Sequence, residues 1–232
     1  LYGKVNPSGK LAETFLLRVQ DNPTYLNFPG AQNESHYSEG IFIGYRYYDK
    51  REMDVLFPFG YGLSYTSFRY SNAKLIVNGQ SVSSSATNNA EGSEPNVIPS
   101  ITAKPHDQIL VSVDITNTGD VYGKEVVQLY VKNAACDAIR PEQELRNFTK
   151  IGLEPGETKT ITLELDERSF SYYNTQIHDW YAPSGDYDLL LSATSRDVRQ
   201  RLTLHLENEQ KLPFIAVSYT HLRAHETLAN LV

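Results

Sequence analysis

His221 and His225 stand four residues apart, a spacing that sets two imidazoles on one helical face where they could begin a metal site. The stretch that holds them, AVSYTHLRAHETLANLV after Ile215, resembles a translated sequencing-adapter ending. Residues 211–232 are therefore set aside as a non-native tail, and no metal is expected. Four carboxylates, Glu39, Asp49, Glu52 and Asp54, crowd into one block and could serve acid–base chemistry, but each reads as a solvated or salt-bridged group. Arg46 and Asp49 read as a structural ion pair. Trp180, the one tryptophan, and Tyr181 beside it could stack on a sugar ring, although burial between sheets or beneath a loop is the expected role of Trp180. There is no GxSxG, HExxH, paired CxxC or glycine-rich phosphate loop, and scattered Ser, His and Asp residues do not make a triad. No catalytic residue and no cofactor are assigned.

The elements that would position such residues are organised around Gly44 to Phe68. This segment gathers Tyr45, Tyr47, Tyr48, Phe57, Phe59, Tyr61, Tyr65 and Phe68, far above the chain's aromatic share of 11%. Rings with large apolar area and hydroxyls in need of partners suit a seam between two units. Pro58, Gly60 and Gly62 turn the backbone there, so the segment is expected to act as an interdomain clamp. Ahead of it, Gln20 to Ser38 reads as an ordered surface loop, and Glu39 to Tyr48 alternates like a strand, although Tyr45 to Glu52 also suits a short helix.

Beyond Tyr65 the texture changes. Ser67 to Val77 alternates through Phe68, Tyr70, Leu75 and Val77 and ends at Asn78-Gly79, a hairpin signal. Ile109, Val111, Val113 and Ile115 keep strict period two, as do Ile161, Leu163 and Leu165. Between these, residues near 80–107 hold a polar run, SSSATNNAEGSEPN, that buries too little apolar surface to order, so a mobile insertion is expected. Short strands separated by turn signals over roughly 130 residues predict an antiparallel β-sandwich.

A formal charge of −7 and a pI near 5.4 argue against a nucleic-acid partner. No apolar run approaches the roughly 20 residues that span a bilayer, so no membrane association is expected. The single Cys136 excludes an internal disulfide and fits a reducing compartment. Asn33-Glu34-Ser35 and Asn147-Phe148-Thr149 match the glycosylation acceptor pattern, which matters only in a eukaryotic secretory setting. Leu1 is not an initiator methionine, so the sequence is expected to be a fragment.

Five stretches, in order, carry a resemblance: GKVNPSGKL (Gly3 to Leu11), YSEGIFIGYRYYDK (Tyr37 to Lys50), VLFPFGYGLSYTSF (Val55 to Phe68), NTGDVYGKEVVQLYV (Asn117 to Val131) and LEPGETKTI (Leu153 to Ile161). Together they resemble the C-terminal region of glycoside hydrolase family 3, which includes many β-glucosidases and β-xylosidases. The resemblance implies a mostly β chain: residues 1–65 as the incomplete tail of an α/β sandwich domain, and 66–210 as an immunoglobulin-like or fibronectin type III-like sandwich. It implies a parent that hydrolyses terminal β-linked glucose or similar sugars with retention, using two carboxyls about 5–5.5 Å apart. Both family carboxyls belong to positions before Leu1, and Glu39, Asp49, Glu52 and Asp54 occupy neither. A β-glucoside or oligosaccharide would reach the enzyme through those upstream domains. Substrate-binding residues and oligomeric state are left unassigned. A non-catalytic β-sandwich that binds carbohydrate or protein is the alternative, since one fold hosts many functions.

Overall fold

Alternating runs become strands because period two sends every second side chain to one face. The computed structural model describes residues 3–83, 100–133, 138–210 and 212. In chain order these hold β1 (Phe15–Leu16), α1 (Tyr45–Lys50), β2 (Val55–Phe57), β3 (Phe68–Val77), β4 (Gln80–Ser83), β5 (Ser100–Ala103) and β6 (Ile109–Asn117). There follow β7 (Gly123–Lys132), β8 (Glu144–Leu153), β9 (Thr158–Leu165), β10 (Tyr172–Asn174), β11 (Asp179–Tyr181), β12 (Gly185–Thr194) and β13 (Asp197–Leu206). One sheet runs β5-β13-β12-β7-β8 and the other β4-β3-β6-β9, while β1-β2 and β10-β11 form two-stranded ribbons. All pairings are antiparallel except β13 with β5, which is parallel.

The two larger sheets form a β-sandwich. Leu75, Val111, Val113 and Ile115 of one sheet share a single buried cluster with Val127, Leu129, Leu189, Leu191 and Leu204 of the other. Each fully buried Leu or Ile contributes about 1.5–3 kcal/mol, so the alternating faces supply the drive that closes the sandwich. The Asn78-Gly79 turn joins β3 to β4 with both residues at positive φ, 48° and 83°, as a two-residue hairpin requires.

Two expectations are refined on the structure, and a third lies outside it. The polar span near 80–107 contributes strands at both ends, β4 paired with β3 and β5 paired with β13, while residues 84–99 lie outside those described. Backbone pairing with an existing strand orders Gln80–Ser83 even though its side chains are mostly exposed. Of the two readings of Glu39 to Glu52, the short helix holds and the strand does not: Gly44, at φ 53°, breaks the alternation and opens α1. The 211–232 tail, with His221 and His225, lies outside the described residues apart from Leu212, as does Cys136.

Residues 3–65 hold little regular structure but are fastened to the sandwich at many points. Leu145 N–H donates to the Tyr45 hydroxyl at 2.9 Å, and Tyr45 meets Phe59 and Tyr130 at centroid separations of 5.0 and 5.8 Å. Ser195 N–H donates to Phe59 O at 2.9 Å, and Asn6 Nδ2 donates to Tyr122 O at 3.0 Å. These contacts form a seam between residues 3–65 and the sandwich. The same residues leave Leu26, Phe28 and Tyr37 largely exposed.

Glu125 closes this seam. It is buried on β7, accepts from the Tyr70 hydroxyl at 3.1 Å, and pairs with Lys10 at 3.4 Å. Burial raises its carboxyl above the ordinary 4.5, outweighing the opposing pull of Lys10 and Tyr70. The folded chain therefore holds this proton more tightly than the unfolded chain. The stabilisation is full below the unfolded value and is lost as pH rises through the folded one. Thermal unfolding of the parent chain and of Glu125→Gln across that window should show the parent losing ground as pH rises. A pH-independent difference in Tm would contradict the burial argument.

Candidate functional site

The loop into β8 carries Arg140 and Pro141, Glu144 opens the strand, and the loop's course is fixed by Arg140. This buried side chain donates through Nη1 to Phe170 O and through Nη2 to Ser171 O, each at 3.2 Å. Those bonds tie the loop to the segment that leads into β10. Glu144 and Arg146 then meet directly at an irregularity in the β7–β8 register, where Leu145 and Asn147 face adjacent residues of β7. Helix α1 brings Arg46 to them from the other side of the seam.

Three guanidinium groups converge on one carboxylate. Glu144 Oε2 accepts from Arg146 at 2.6 Å and Arg140 at 3.4 Å, and Oε1 lies 3.4 Å from Arg46. Burial lowers the Arg146 pKa, and the neighbouring Arg140 and Arg46 charges act in the same direction. The Nε–H groups of Arg140 and Arg146 are buried without an acceptor among the described residues. This cluster lines a cleft of about 640 Å³ that is also lined by Tyr172, Tyr173 and Trp180 of the β10–β11 hairpin, with the Arg140 guanidinium 5.4 Å from the centre of the Tyr172 ring.

Trp180 is not buried between the sheets. It is 40% exposed, on a ribbon of three residue pairs that stands outside both large sheets. In that register Tyr172 faces Tyr181 and Tyr173 faces Trp180, which puts the two ring pairs on opposite faces of the ribbon. Trp180 is covered in part by the edge of Tyr173 at 5.9 Å and by the Arg168 guanidinium at 4.0 Å.

Arg46 and Asp49 do not pair with each other. Asp49 accepts from Arg196 Nε at 2.8 Å, and burial pushes its carboxyl up against that pull. Side chains three apart on α1 are neighbours, but each finds a partner from the sandwich instead. Asp49 lines a recess of about 300 Å³ with Glu52 and Glu142. Glu142 is held by Lys50 at 2.8 Å and Lys132 at 3.7 Å, and the Lys50 bond keeps its carboxyl below the ordinary range. Glu52 and Asp54 are exposed, and Glu39 is half-buried. The cluster around Glu144 was missed from sequence. Its signal was Arg140, Glu144 and Arg146 within one short span, but Arg46 lies 98 positions from Glu144 and no local pattern points to it.

Comparison with known proteins places these features. Residues 125–195 match the model of the fibronectin type III-like domain, from within β7 to just past the end of β12. The chain is 45% identical over 212 residues to thermostable beta-glucosidase B of Acetivibrio thermocellus, spanning 91% of this chain and 25% of that protein. It is 38% identical to an exo-alpha-(1->6)-L-arabinopyranosidase of Bifidobacterium breve, over 91% of this chain and 24% of that one. The crystal structure of a GH3 beta-glucosidase from Bifidobacterium adolescentis superposes with a TM-score of 0.77 at 34% identity, covering 94% of this chain and 28% of that one. The chain thus spans about a quarter of the length of the curated relatives it matches. It belongs to glycoside hydrolase family 3 and corresponds to the C-terminal part of such a protein.

Proposed function

We propose that the parent protein hydrolyses terminal β-linked glucose, or a similar sugar, with retention, and that this chain supplies scaffold and neither reacting carboxyl. The observation that carries the reading is the 45% identity to a β-glucosidase over only a quarter of that enzyme. The state of the acids supports it. A retaining mechanism needs two carboxyls about 5–5.5 Å apart, one of them free to attack. Here Glu144 is held by three arginines, Asp49 by Arg196 and Glu142 by two lysines.

In this reading residues 1–65 are the tail of the α/β sandwich domain and 66–210 the supporting sandwich. The exposed Leu26, Phe28 and Tyr37 are the face that the preceding domains cover. Sugar reaches the enzyme through those domains.

The test is product stereochemistry. The parent protein is incubated with an aryl β-glucoside, and the first anomer released is read by proton NMR before mutarotation. The β anomer is expected. Release of the α anomer, or no hydrolysis, would contradict the reading. An aryl α-L-arabinopyranoside belongs in the same assay, because one relative is named for that activity.

A further inference from the structure

The cleft between α1, the β8 entry and the β10–β11 hairpin joins three guanidinium groups that converge on one carboxylate with partly exposed aromatic rings. Arg46, Arg140 and Arg146 share the single carboxylate of Glu144, which leaves two positive charges in surplus on a chain whose formal net charge is −7. The surplus is poorly solvated. The side chains of Arg140, Arg146 and Arg46 are 5%, 18% and 33% exposed, so water screens them weakly. The backbone meets it only in part: Arg140 donates to Phe170 O and Ser171 O, while Nε–H of both Arg140 and Arg146 lacks an acceptor among the described residues. A desolvated cation with its hydrogen bonds incomplete gains from an incoming anion, and a guanidinium fits a carboxylate through two parallel bonds.

The rings that line the same cleft suit a sugar. Tyr173 and Trp180 are each about half exposed and set edge to face, and the Arg168 guanidinium 4.0 Å from the Trp180 ring fixes its orientation. The cleft volume of about 640 Å³ falls within the range of small-molecule sites.

We propose that this cleft binds a carboxylate-bearing sugar, its carboxylate on Arg46 and Arg146 and its ring against Tyr173 and Trp180. The inference does not rest on the hydrolase reading, because no reacting group takes part.

Trp180 is the only tryptophan of the chain, so its fluorescence reports on the cleft directly. The purified chain is titrated with sodium glucuronate, methyl β-glucoside and sodium acetate, with calorimetry alongside. Glucuronate should give a saturable change, and the neutral sugar and the ringless carboxylate should each bind roughly tenfold more weakly or worse. Arg46→Gln and Arg146→Gln should each weaken glucuronate by a similar factor. Arg46 is the more exposed of the two, so its variant keeps the test open if Arg146→Gln unfolds. No saturable glucuronate binding would overturn the proposal. So would methyl glucoside or acetate binding as tightly as glucuronate, or unchanged affinity in a folded Arg46→Gln chain.

Discussion

Replacing Glu144 by Gln will cost the chain about 3–5 kcal/mol of stability, the loss expected when a buried charge cluster is deprived of its one opposite charge. Arg140, Arg146 and Arg46 all direct a guanidinium nitrogen at this carboxylate, and the Glu144 side chain is only 12% exposed. Gln retains the shape and one acceptor but removes the charge, so three cations repel one another with weak screening. Urea unfolding of the parent chain and the variant measures the loss. Added sulfate should recover part of it, because an external anion can stand near the cluster. A loss under about 1 kcal/mol would mean the cluster behaves as ordinary surface pairs do.

Asn117→Ala should cost about 2–4 kcal/mol, since one fully buried amide satisfies four partners. Its Nδ2 donates to Val121 O at 2.8 Å and Leu153 O at 3.1 Å, while Oδ1 accepts from Gly119 N–H at 3.1 Å and from the Thr66 hydroxyl. The side chain thereby holds the β6–β7 turn, the end of β8 and the exit from the aromatic segment together. Ala leaves these groups without a partner in a space water enters poorly. The check is again the urea midpoint, and near-parent stability would show that the turn is held by its backbone alone.

The sandwich was legible in the sequence because its strands are buried on one face. Ile109, Val111, Val113 and Ile115 were read as one face from spacing alone, and each is at most 1% exposed. The seam was legible from composition, since Tyr45 and Phe59 had to cover one another or something else. What escaped the sequence was pairing at a distance. The partners of Arg46 and Asp49 are Glu144 and Arg196, set by how α1 lies on the sandwich and not by spacing along the helix. Trp180 escaped for a related reason. Residue type favours burial, but its ribbon pairs with neither large sheet, so the ring lies on a cleft wall. The polar β4 is not legible as a strand in the sequence because its order comes from backbone pairing with β3 and not from side-chain burial.

Turnover of an aryl β-glucoside by the purified 232-residue chain bears most directly on whether it is a support that lacks a reaction centre. The account predicts release of the aryl alcohol at the rate of buffer alone, while the parent protein turns over under the same conditions. Hydrolysis by the chain itself, abolished by replacing Asp49 or Glu144, would contradict it.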